Sequence, residues 1–308
     1  MKSFIDNYLF KMICSMALGI AISLSSSAQT KVLVHEFSQF DGIDVSDCFE
    51  TEIRISGSYG IRVTVSDQLA DYLQTYVKGR ILYLKLDDKA IPHGIKRLFK
   101  GKNAIPEVLK VIVDMPSVSS VKLSDRASVF CSDPVTAGKF MIEAGDKSRV
   151  TDMTVSAGTA DIFISKNSDL KMTISADSVK VVSSGSSALS LSQSSKFLEV
   201  NPSGSSNIKI DCDNTKINVD ASGSSKLFLS GTASVLKVEA SGFAKIDAPD
   251  LALENAYVVM SGRSTVTEGA SAGLTMDLSG SSHLIFKGSP RISIVNIKSS
   301  SVSHYVNK

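Results

Sequence analysis

Ser184-Gly185-Ser186-Ser187, Ser203-Gly204-Ser205-Ser206 and Ser222-Gly223-Ser224-Ser225 repeat one tetrapeptide along the chain. Ser241-Gly242, Ser261-Gly262 and Ser279-Gly280-Ser281-Ser282 continue it, with successive glycines 19, 19, 19, 20 and 18 residues apart. Ser299 takes the glycine position of a seventh turn, 19 residues after Gly280, and Ala144-Gly145 and Ala157-Gly158 are looser relatives upstream. A fixed period of this size marks a repeat architecture, and the residues around each glycine say which one.

Two positions before the glycine stand Pro202, Ala221, Ala240, Met260 and Leu278; four before stand Val181, Val200, Val219, Val238, Val258 and Met276. Six before come Val179, Leu198, Ile217, Leu236, Ala256 and Leu274, and the positions between are mostly polar. Leu189, Ile208, Leu227, Ile246, Val266 and Leu284 follow four residues after it. This is the period-two alternation of strands with one buried face. A helix has no use for it. Each rung holds at least two short strands joined at the Ser-Gly corner, and equivalent residues stack about 4.8 Å apart in adjacent rungs. Glycine permits the tight corner, and serine hydroxyls satisfy its backbone groups. The expected fold is all-β: a β-solenoid, specifically a right-handed parallel β-helix, with rungs of about 19 residues.

Outward from the repeat, residues 116–308 are assigned to the β-helix and residues 29–115 to a less regular N-terminal β portion covering its first edge. Strands are expected at Glu50–Ile55, Ile61–Val65, Ile81–Leu86 and Val108–Val113. Asp67–Leu73 reads as a short helix or turn with Ser66 as N-cap. A basic insertion at 91–106 carries Lys96, Arg97, Lys100 and Lys102, read as a solvated loop and as the candidate binding residues of this region.

Residues 1–28 read as a signal peptide: Lys2 and Lys11, an apolar run from Met12 to Leu24, and small residues before a cleavage point after Ala28. The run is short for a membrane span, and Ile13 before Cys14 argues against lipidation. The expected product is exported, to the periplasm, the cell surface or the medium. From Gln29 onward 31 basic residues face 30 acidic ones, which leaves no surplus for a nucleic-acid backbone. Tryptophan is absent and aromatics are few, which weakens any reading as a tight sugar- or base-stacking groove. Cys48, Cys131 and Cys212 remain, an odd number read as buried small hydrophobes rather than a disulfide framework.

Phe40-Asp41-Gly42-Ile43-Asp44-Val45, Phe49-Glu50-Thr51-Glu52-Ile53 and Gly79-Arg80-Ile81-Leu82-Tyr83-Leu84 lead into Val111-Ile112-Val113-Asp114-Met115-Pro116 and then the Ser-Gly rungs. In that order these segments resemble the head GIN domain family, autotransporter-adhesin-like β-helix proteins of Bacteroidota. The resemblance covers most of the chain and implies an exported β-helical protein; it supplies no catalytic residues. After its last rung this sequence has no run of strands for a membrane barrel, so the expectation is of a protein that is not itself a complete autotransporter.

No motif supplies strong chemistry. His35, His93, His283 and His304 have no metal-ligand spacing, and His283 reads as an exposed rung position. The Gly-Ser-Ser turns lack the Gly-x-Ser-x-Gly elbow of a serine hydrolase, and Gly94 to Gly101-Lys102 has the wrong spacing for a phosphate loop. Asp211-Cys212-Asp213 opens like a calcium loop without its glycine and closing glutamate. Neither metal nor cofactor is expected. The candidate catalytic pair is Asp220 and Glu239, both three residues before a corner glycine and so both outward on adjacent rungs. Two such carboxylates would divide acid and base roles in cleaving a polysaccharide. Against that, Lys237 lies on the same face as Glu239, and Val259 is the next equivalent. The expected function is therefore non-enzymatic binding or scaffolding for glycan or envelope protein, with polysaccharide cleavage as the alternative. The last rungs show no helical cap, which points to homo-oligomers through the solenoid ends.

Overall fold

The structure is a computed structural model that describes residues 29–304 except 38, 101 and 103. The expected signal peptide and Cys14 lie outside the described residues. The strands are β1 (Thr30–His35), β2 (Gly42–Val45), β3 (Glu50–Ile55), β4 (Gly60–Ser66), β5 (Leu73–Lys78), β6 (Ile81–Leu86), β7 (Leu109–Met115), β8 (Ser120–Leu123), β9 (Ser128–Phe130) and β10 (Val135–Ala144). The long ones follow: β11 (Arg149–Ile164), β12 (Asp169–Ser183), β13 (Ala188–Pro202), β14 (Asn207–Ala221), β15 (Lys226–Ala240) and β16 (Lys245–Met260). Then come β17 (Thr265–Glu268), β18 (Ala270–Leu278), β19 (His283–Phe286), β20 (Arg291–Ile297) and β21 (Ser301–His304). They form a β-solenoid of about ten turns with rungs about 19 residues apart, as the repeat predicted.

From β10 to β16 each strand pairs in parallel with the next, and the register steps one rung at a time: Leu189, Ile208, Leu227 and Ile246 lie over one another. All four are buried. Burying side chains of this size is worth about 1.5–3 kcal/mol each, which is why the alternation persists rung after rung. Each long strand bends once, at a column running through Asp177, Lys196, Thr215 and Ser234 that drops out of the ladder. The bend divides a rung into a first wall, after the Ser-Gly corner, and a second wall, before the next corner. No residue type marks this second corner.

The Ser-Gly corners are two-residue turns. The glycines have φ between +64° and +76°, and Ser299 takes the same conformation at +57° in the predicted seventh turn. The last serine of each tetrapeptide points inward; the hydroxyls of Ser187 and Ser225 donate to the carbonyl oxygens of Ser184 and Ser222 at 2.9 and 2.8 Å. Earlier rungs turn differently, through consecutive left-handed pairs at Asp125-Arg126, Asp146-Lys147 and Lys166-Asn167. Aspartate and asparagine tolerate this conformation through local hydrogen bonding. Gly145 therefore lies one residue ahead of its turn, and Gly158 falls on the opposite corner inside β11, so neither is a relative of the Ser-Gly turn.

The N-terminal rungs are not stacked in chain order. β2 and β3 pair in parallel with β8 and β9, 78 residues later, and on their other side with β6 and β7. The chain lays down an inner rung, goes out to make the end rung, then steps past the first to continue. β4 returns antiparallel on β7, β1 on β4 and β5 on β6, closing this end of the solenoid. Ser66 precedes a 3-10 turn at Asp67–Tyr72 but does not cap it: its hydroxyl accepts the Val108 N–H at 2.9 Å, satisfying the entry to β7. The insertion read as a loop contains α1 (His93–Leu98), none of whose residues is fully buried. Cys131 and Cys212 are buried, Cys48 is half-buried, and all three are free thiols.

Candidate functional site

On the first wall, the residues five and seven positions after each corner face outward and stack into two columns. Lys171, Ser190, Lys209, Phe228 and Asp247 make one; Thr173, Ser192, Asp211, Ser230 and Asp250 make the other. Between and around them runs a groove of about 1030 Å³ that crosses the rungs along the solenoid axis, with Met172, Leu191, Ile210 and Leu229 beneath it.

The groove is bracketed by two places where this wall loses register. At one end the pairing slips between Val150 and Met153, where Asp152 takes a φ of +54°. At the other it slips between Phe228 and Ser230, and the extra residue brings Pro249 and Asp250 to the lip. Register breaks of this kind re-aim side chains and bend the sheet, which turns an otherwise flat ladder into a trough.

The groove is polar along its flanks. Ser230 donates from its hydroxyl to Asp211 at 3.2 Å, Thr267 to Asp247 at 3.3 Å, and Lys245 pairs with Asp247 at 2.8 Å. Lys171 lies 3.9 Å from Asp152, while Lys209 has no ion-pair partner among the described residues. Phe228 is 37% exposed, an apolar ring in a column of otherwise polar and charged side chains. Sequence reasoning discounted aromatic contacts on count alone. The available signal was position: Phe228 has outward parity where the neighbouring rungs place Lys209 and Asp247.

The predicted carboxylate pair lies on the second wall. Asp220 and Glu239 are register partners on adjacent rungs, and Glu239 is followed by Val259. Lys237 reaches Glu239 at 2.7 Å, so this carboxylate is held in an exposed ion pair, not opposed to Asp220 alone. The same wall carries Lys180–Glu199 at 2.8 Å, an arrangement that lowers the Glu199 carboxyl through the lysine and Asn201 contacts. Asp211 and Asp213 point out while Cys212 points in, so the calcium-like run does not converge, and no cluster of three or more metal-ligating side chains occurs among the described residues.

Of the basic insertion, Lys96 and Lys100 line a second cleft of about 800 Å³ between α1 and the stacked turns at 47–48, 125–126, 146–147 and 166–167. Lys96 is paired with Asp88 at 3.0 Å. Arg97 and Lys102 are not among the lining residues. Burial raises the carboxyl of Glu107 and the thiol of Cys48 in this cleft, with Arg126 pulling both back. Its acidic and basic groups are evenly mixed, so it shows no preference for a ligand charge.

No helix among the described residues is long and apolar enough to cross a membrane. A family model described as "Putative auto-transporter adhesin, head GIN domain" matches residues 39–210 and 184–290. Among solved structures, a putative adhesin from Parabacteroides distasonis superimposes with a TM-score of 0.50 at 17% identity, over 91% of this chain and 98% of its own. A putative adhesin from Parabacteroides merdae gives 0.49 at 16% identity, and a putative lipid binding protein from P. distasonis 0.47 at 18%, each over the same shares. At such identities the likeness is one of fold. No curated protein matches.

Proposed function

We propose, from the premise that the chain belongs to the head GIN domain family of "putative auto-transporter adhesins", that it is a non-enzymatic surface module whose first wall binds an extended glycan along the solenoid axis. One observation carries this: a trough of about 1030 Å³ on the first wall, flanked by outward columns of mostly polar residues and bracketed by register breaks, crosses six rungs from β11 to β16. Hydroxyls and carboxylates at a fixed rung spacing suit a ligand with repeating hydroxyls, and the Phe228 ring offers one face for a sugar. A shallow, open site of this type fits weak multipoint binding, in which several neighbouring contacts add up.

An exterior location accords with the adhesin-like family and with the signal-peptide reading of residues 1–28. Polysaccharide cleavage finds no support: the carboxylate that would have to act, Glu239, is engaged by Lys237. The test is a glycan array probed with residues 29–308 and with a Phe228→Ala/Asp211→Asn variant. Binding to extended polysaccharides that falls at least about tenfold in the variant is expected. Silence across the array, or binding that the variant leaves unchanged, overturns the reading.

A further inference from the structure

The two ends of the solenoid are finished differently. At the N-terminal end β1, β4 and β5 fold back antiparallel, and Leu69 and Ala70 of the 3-10 turn are buried beneath them. At the other end, among the described residues, the core columns finish on exposed side chains. Leu274, Met276 and Leu278 are buried, and their register partners in the last described rung, Ile292, Ile294 and Ile297, are 44%, 60% and 41% exposed. β20 pairs only with β18 and β21 only with β19, so both walls present an edge without a partner among the described residues.

We propose that this open end is covered by the same end of a second copy, giving a closed tail-to-tail dimer. An occupant must meet two strand edges about 10 Å apart with apolar side chains between them, and another solenoid end has that form. A two-fold axis across the solenoid sets the isoleucines of one copy on those of the other and leaves no further edge to extend. The terminal rung has a seven-residue wall in β20 and a four-residue wall in β21. Strands up to about 23 Å long, about 10 Å apart and with side chains on both outer faces, give a cross-section of roughly 400 Å², so pairing two of them buries roughly 800 Å², the size of a weak, reversible interface. The capped N-terminal end offers no matching open core, which disfavours head-to-tail growth.

Sedimentation of residues 29–308 over a concentration series tests this. A monomer–dimer equilibrium is expected, shifted at least tenfold toward monomer by Ile294→Lys; because Ile294 is already exposed, the variant's thermal melt and circular dichroism at low concentration stay those of the wild type. Val295→Cys on β20, oxidised at high concentration, gives a discrete covalent dimer lost in the Ile294→Lys background. Monomer at every concentration overturns the proposal. So does association indifferent to Ile294→Lys, or open-ended polymers without the covalent dimer.

Discussion

Gly204 lies directly over Gly185: a β-carbon on Gly204 would stand 2.8 Å from both the nitrogen and the carbonyl oxygen of Gly185. The same holds up the column, with the nearest atom at 2.8 Å for Gly223 and 2.6 Å for Gly280. Glycine is needed here for two separate reasons, the left-handed φ and the close approach of the next turn. That turn cannot retreat, since the Ser205 N–H donates to the Gly185 carbonyl at 2.8 Å.

Gly204→Ala is therefore expected to cost at least about 2 kcal/mol, from the left-handed conformation and from displacing a hydrogen-bonded turn. Ser299→Gly should act in the opposite direction, gaining about 1 kcal/mol at a position that holds φ +57° without glycine. Urea unfolding of both variants measures this; a neutral Gly204→Ala would remove the stacking argument.

Glu268 gives the fold a pH dependence. It occupies an inward position of the first wall, fully buried, with one carboxylate oxygen accepting the Ala270 N–H at 2.6 Å and the other without a partner. Burial lifts it from the ordinary 4.5 to about 7 against the opposing pull of that N–H. Between those values the folded chain holds a proton that the unfolded chain has lost. Stability is thus full below pH 4.5 and falls as pH rises toward 7, by about 3 kcal/mol from this group. Glu268→Gln should flatten that window and raise the melting temperature at pH 8 more than at pH 5. Parallel pH profiles for the two proteins would show that the charge is relieved some other way.

Asn214 and Gln193 sit inside the solenoid, in columns that neighbouring rungs fill mostly with small or apolar residues, Ser195 being the register partner of Asn214. Asn214 accepts from the Gln193 side-chain amide and donates to the carbonyl and hydroxyl of Ser195, both at 2.7 Å, while Ser195 closes the network onto Gln193 at 2.9 Å. Asn214→Ala strands a buried amide and should cost about 2–3 kcal/mol. Replacing Asn214 and Gln193 together by leucine should cost less than the sum of the single changes, because no polar group is then left unpaired. Additive losses in denaturant melts would mean the network is not coupled.

The exposed ladder on the second wall should matter little. Glu239→Gln removes the partner of Lys237, and Asp220→Asn removes the neighbouring charge, in a setting open to water. Each is expected within about 0.5 kcal/mol of wild type, the usual worth of surface pairs. A loss above about 2 kcal/mol in either melt would point to a role that the geometry does not supply.

The repeat was legible because its cause is local and recurs. Along the column from Leu189 through Ile208, Leu227, Ile246 and Val266 to Leu284 each core residue meets another aliphatic one rung away, so parity and period appear together in the sequence. The corner glycine was legible for the same reason, and so was the register of Asp220 on Glu239. So was the pairing of Lys237 with Glu239, two residues apart on one outward face. The second corner was not, because Asp177, Lys196, Thr215 and Ser234 bend the strand without a residue requirement.

The sequence by itself determined the solenoid, its rung length, which side chains enter the core and where the glycine turns fall. Only the tertiary structure decided the threading of β2 and β3 between β6–β7 and β8–β9, since strands that meet across 78 residues leave no period to read. It also decided where the first wall becomes a groove. That depends on two slips of register, and a register is a relation between neighbouring rungs, held in the hydrogen bonds that join them and in neither rung alone.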